Sequence, residues 1–169
     1  RRRGELSESR AALDEADETV IITLSCGGTS NCTTGAVTEQ TVMIVDEDVL
    51  SVATLSVGVA SINETTGTTS TPVTATLNLA SAKTVTVTLT RSGTATEVSD
   101  YLALPNTMTI VAGGISTSTT LTTIDEAPAL DEFDETVIID LSCPTGSNCT
   151  TGVTTQQTVT IVDEDNPSV

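Results

Sequence analysis

The chain has 169 residues, of which 37% are apolar and 1% aromatic, and it carries a formal net charge of −17 from 23 acidic and 6 basic side chains. A surface this acidic repels nucleic acid and anionic lipid, which argues against either as a partner and against direct membrane insertion. Histidine is absent altogether, so Ser-His-Asp and Cys-His catalysis are excluded and the commonest transition-metal ligand is missing.

Positions 1–12 hold four of the six basic residues and no hydrophobic run of the kind a signal peptide or membrane span requires. From residue 13 the chain shows its most informative feature. Residues 13–48 align without a gap onto residues 130–165, at a constant offset of 117 (residue 13 onto residue 130), and most positions are identical. A period of this size suits an immunoglobulin-like domain rather than a solenoid unit. Residues 1–48 therefore read as the back end of one repeat, 49–165 as a complete repeat, and 166–169 as the start of the next or a linker. Positions 1–12 do not resemble 118–129, so either the first repeat diverges there or the stretch is foreign to it. Only two strands, near 18–25 and 38–45, can be drawn in the leading half-repeat. Two strands cannot close a sandwich. The half-repeat is disordered, packed against the complete repeat, or completed by strands of another molecule.

In the complete repeat, apolar and hydroxyl residues alternate, as in Thr84-Val85-Thr86-Val87-Thr88-Leu89. That pattern belongs to strands with one buried and one wet face. Strands are expected at roughly 50–60, 72–80, 84–91, 107–111, 115–124, 135–142 and 154–163, separated by Gly-, Pro- and Ser-rich turns. The expected fold is all-β: a seven-stranded immunoglobulin-like Greek-key sandwich. With one Phe, one Tyr and no Trp, its core must consist of thin layers of Val, Ile, Leu and Ala.

Cys26 and Cys32, and Cys143 and Cys149, repeat one spacing inside turn-rich segments. A zinc site would want tighter pairs brought together in one place, so a local disulfide in each loop is the better reading. It implies an oxidising compartment, hence an extracellular, secreted protein, and stabilises by about 2–3 kcal/mol at most.

The carboxylates are bunched at Asp125-Glu126, Asp131-Glu132, Asp134-Glu135 and Asp163-Glu164-Asp165, with single residues at Glu64 and Asp100. Loops at one end of a sandwich can bring such groups together, where a hard cation with six to eight oxygen ligands relieves their repulsion. The competing reading is solvated acidic loops.

The runs Ser92-Gly93-Thr94-Ala95-Thr96…Asp100-Tyr101, Met108-Thr109-Ile110…Gly113, Ile124-Asp125-Glu126…Glu132-x2-Glu135-Thr136-Val137…Leu141-Ser142 and Thr158-Val159-Thr160-Ile161-Val162-Asp163-Glu164-Asp165 resemble a Calx-beta domain. The resemblance spans essentially all of 49–165 and, for the C-terminal part, 13–48. It implies a Ca2+ site at one end of the sandwich, as in sodium–calcium exchangers, with candidate ligands Glu64, Asp100, Asp125, Glu126, Glu132, Glu135, Asp163, Glu164 and Asp165. Three departures from the family pattern point to a weaker site or fewer ions. The acidic run after the fifth strand is only Asp125-Glu126, Val137 replaces an aromatic, and Glu164 interrupts the last run.

These readings favour a non-enzymatic, structural or adhesive repeat of an extracellular surface protein or filament. Its expected partners are copies of itself or adjacent repeats, together with cell-surface glycans or proteins. The alternative is a calcium-regulated binding module of a larger membrane-associated protein. A glycosidase built on paired carboxylates is a distant third, since no aromatic platform for a sugar exists.

Overall fold

A computed structural model of the chain describes residues 16–28, 31–46, 49–64, 69–124 and 132–163. The chain divides into two units, Arg1–Val49 and Leu50–Val169. Among the described residues every regular element is a strand.

The first unit contains β1 (Glu18–Thr23) and β2 (Glu39–Ile44), paired antiparallel as a two-stranded ribbon. Both of its faces are exposed. Cys26 and Cys32 are joined by a disulfide in the connection.

In the second unit, β3 (Ser51–Val57), β5 (Ser70–Leu77), β8 (Ser116–Thr122) and the short β10 (Cys149–Thr151) form one sheet, in the order β10-β3-β5-β8. The other sheet has the order β4-β11-β9-β6-β7, with β4 (Ser61–Asn63), β6 (Val85–Gly93), β7 (Thr107–Ile110), β9 (Glu135–Ser142) and β11 (Gln156–Val162). Alternate residues of the two sheets face each other, as the period-two pattern requires. Ala53, Leu55, Val73, Ala75, Leu77 and Leu121 come from one sheet; Val85, Val87, Leu89, Ile110, Val137, Ile139, Leu141, Val159 and Ile161 come from the other. Tyr101 and Leu104 fill the space beside them. Each such aliphatic side chain contributes about 1.5–3 kcal/mol by leaving water, which is how a core with a single buried aromatic ring is assembled.

The described part of this unit has nine strands, against the seven expected. The first expected strand, 50–60, divides at Gly58. There the chain leaves β5 for the opposite sheet, where β4 runs parallel to β11. A side chain at Gly58 would lie 2.7 Å from the Pro72 ring, and the Thr71 hydroxyl accepts from the Val59 N–H at 2.9 Å, which fixes the crossing. The second addition is β10, which starts at Cys149, the second cysteine of the Cys143–Cys149 disulfide, and pairs parallel with β3.

Gly93, at the end of β6, has φ +119° and faces Val137 of β9. A Cβ there would sit 2.0 Å from the Thr136 carbonyl oxygen. Gly93→Ala therefore combines a backbone clash with a conformation closed to L-residues, and is expected to lower unfolding free energy by about 2–4 kcal/mol. Urea denaturation measures this; an unchanged midpoint would contradict the close β6–β9 approach.

Candidate functional site: an acidic end of the sandwich

The sheet order gathers strand ends at one pole of the second unit. β4 and β11 run parallel, with Asn63 beside Val162. The Glu64 N–H donates to the Val162 carbonyl at 3.0 Å, so Glu64 and Asp163 leave their strands side by side. β9 enters from the same pole: Glu135 stands opposite Ile161 in the ladder, and the Glu132 N–H donates to Asp163 Oδ2 at 2.6 Å.

Asp100 arrives from the turn that follows β6. The Thr96 N–H donates to Asp100 Oδ2, the Asp100 N–H donates to the Thr96 carbonyl at 3.0 Å, and the Ile124 N–H donates to the Asp100 carbonyl at 3.0 Å. Within this turn Val98 adopts φ +79°, a left-handed conformation that a β-branched residue enters only at a cost of order 1–3 kcal/mol. The strain is held by the Val98 N–H bond to the Tyr101 carbonyl at 2.8 Å and by buried Tyr101, which bridges to Thr123. The outcome is a buried carboxylate aimed at the start of β9.

Electrostatics confirm the convergence. Burial pushes the Glu135 carboxyl up from its ordinary value of 4.5 to about 7, helped by a hydrogen bond to Asp100 and by repulsion from Asp100, Glu132 and Glu64. A carboxyl that keeps its proton near neutrality beside other carboxylates is the response of a buried member of a like-charge cluster. Of the two basic side chains among the described residues, Arg91 is engaged elsewhere. Its guanidinium pairs with Glu97 at 3.4 Å and donates to Asn106 Oδ1 at 2.6 Å. Lys83 lies between β5 and β6, at the pole where β6 begins.

Of the expected ligands, Glu64, Asp100, Glu132, Glu135 and Asp163 thus belong to one pole. Asp125, Glu126, Glu164 and Asp165 lie outside the described residues. Among the described residues no three acidic side chains stand close enough together to hold a metal ion as they are: Asp163 is turned to an amide and Glu135 to Asp100. The donor chemistry is nonetheless uniform, since every group is a carboxylate oxygen, the ligand type of a hard divalent cation. Sequence reasoning passed over Glu97, whose carboxylate occupies Arg91 and keeps that cation from the cluster. Its lone position six residues after an arginine was the available signal.

No protein-family model and no curated protein matches the chain. Solved structures do. The apo-form Calx CBD1 domain is 19% identical with a TM-score of 0.52, over 69% of this chain and 99% of that one. CBD12 from CALX1.2 is 21% identical with a TM-score of 0.54, over 67% of this chain and 44% of that one. The calcium binding domain CBD12 of CALX1.1 is 22% identical with a TM-score of 0.50, over 62% of this chain and 41% of that one. The fold is therefore an all-β sandwich of the Calx type. The two disulfides, Cys26–Cys32 and Cys143–Cys149, point to a non-cytoplasmic setting.

The raised Glu135 pKa carries a pH dependence. Between about 4.5 and about 7 the folded unit holds a proton that the unfolded chain has released. This contribution to stability is fully present below the unfolded value and is lost as pH rises through the folded one. In chelator, the stability difference between pH 5 and pH 8 should shrink in Glu135→Gln relative to the parent, with the variant the more stable at pH 8. Thermal melts at the two pH values check this; an equal or larger difference in the variant would contradict it.

Proposed function

We propose that the chain is a non-enzymatic structural or adhesive repeat module of an extracellular surface protein or filament. In this reading Ca2+ stiffens its acidic pole, a disulfide pins each cysteine loop, and β-strand complementation with other repeats assembles it. The observation that carries the reading is the gathering of Glu64, Asp100, Glu132, Glu135 and Asp163 at one pole, where burial and the neighbouring carboxylates push the Glu135 carboxyl up. These carboxylates would hold the ion, which when bound would supply two positive charges at this pole. To serve as ligands, Glu135 would give up its proton and Asp163 would turn from the Glu132 amide. Both changes would tie the turn after β6 to the ends of β9 and β11, which is how a cation would make this pole rigid. The likeness in fold to a calcium binding domain supports the same assignment. The disulfides and the acidic surface support display outside the cell.

A calcium-regulated binding module of a membrane-associated protein is the second reading, favoured by the CALX neighbours. The two differ in consequence: a regulatory module changes its affinity for a partner with Ca2+, whereas a structural one changes its stability and stiffness alone.

At Ca2+ about 100-fold above its dissociation constant, binding to the folded state alone adds about 2.7 kcal/mol. For a unit of this size that is a rise in melting temperature of about 10 °C. The rise should be abolished by chelator and sharply reduced in Asp163→Asn. Equal melting temperatures with Ca2+ and with chelator would show that the carboxylates are solvated loops.

A further inference from the structure

We infer that the β1–β2 hairpin is a donor surface whose partner is a β3–β8 strand set of this kind other than the one that β9 and β11 fill in the second unit. This deepens, and rests on, the reading of the chain as an assembling repeat. The interface it fits is present in the chain, because the second unit shows the same hairpin in its filled state.

The two ladders have one register. Glu18 opposes Ile44 and Val20 opposes Val42, as Glu135 opposes Ile161 and Val137 opposes Val159. The bond from the Leu24 N–H to the Thr38 carbonyl at 2.7 Å reappears from Leu141 to Thr155 at 2.8 Å. In the second unit, Val137, Ile139, Leu141, Val159 and Ile161 are at most 3% exposed against β3–β8; the matching Val20, Ile22, Leu24, Val42 and Ile44 are 44–63% exposed.

The pattern of substitution points to the occupant. Between 16–46 and 133–163, every position buried in the second unit carries the same residue in both copies, including Ser147 and Ser30 and Cys149 and Cys32. All the differences, such as Thr23 for Asp140, Glu39 for Gln156 and Met43 for Thr160, fall where the second unit is partly or fully exposed. One steric and one polar feature single out β3 as what the hairpin must meet. A Cβ at Gly152 would lie 2.8 Å from the Ala53 carbonyl of β3; its counterpart Gly35 has nothing within 4 Å, yet remains glycine. The Gln157 amide donates to the Leu55 carbonyl of β3 at 3.2 Å, and Gln40 stands in its place. An exposed two-stranded ribbon has no need of either residue. A ribbon that closes a sandwich by strand addition needs both.

The full chain bearing Ile22→Asp and Ile139→Asp serves as acceptor, since neither of its hairpins presents an intact apolar face. The unaltered chain, whose β3–β8 set is filled, serves as donor of its free β1–β2 hairpin. Co-refolding the two and separating them by size-exclusion chromatography should yield a mixed complex of one donor and one acceptor, and Ile22→Asp in the donor should abolish it. Unfolded acceptor beside monomeric donor would overturn the inference. So would an acceptor that folds unaided, because the apolar face would then not be what closes the sandwich. The readout is run in chelator, so its failure is separate from any failure of the Ca2+ reading.

Discussion

The β9–β11 ladder is the constraint on which the second unit depends. β9 is the central strand of its sheet, with β11 and β4 on one side and β6 and β7 on the other. The inward side chains of β9 and β11 contribute five residues of the core. Because a one-residue slip would turn that face to solvent, the apolar face and the register fix each other. Both poles follow from this. The Cys143–Cys149 loop sits where β9 ends, and the carboxylates sit where β9 begins and β11 ends.

The acidic pole concentrates like charges that the fold itself brings together. Hydrophobic closure of the sandwich delivers Glu64, Glu135 and Asp163 to one place whatever their charges, and the strained turn around Val98 adds buried Asp100. Protonation of Glu135 near neutrality relieves part of the repulsion; a divalent cation would relieve more of it. The pole therefore has two ways of being neutralised, and they compete for the same carboxylate.

Much of this was legible in the sequence, for physical reasons that can be named. Alternation in Thr84–Leu89 announces a half-buried strand, and local cysteine spacing announces each disulfide. The split of the first strand was not legible, because it depends on Gly58 meeting Pro72 from a different strand. Nor was β10: three residues, Cys149–Thr151, show no alternation, and their partner β3 lies far away in the chain. At the acidic pole the residue types were legible as a cluster. Their pairing was not, since the Glu135–Asp100 contact depends on a turn conformation that no spacing rule encodes. The unfilled apolar face of β1–β2 was foreshadowed, because two strands cannot enclose a core.

The most direct test of the central claim, that the β9–β11 ladder holds a carboxylate cluster which a cation locks, is amide hydrogen exchange with and without saturating Ca2+. The amides to follow are Thr96, Ile124 and Glu132, which tie the acidic residues to the strand ends. The account predicts that Ca2+ alters exchange at Glu132 as Asp163 turns to the ion, and slows it at Thr96 and Ile124. The β3–β5 ladder amides should be affected only through global stability. Identical exchange at all three amides in both conditions would contradict it.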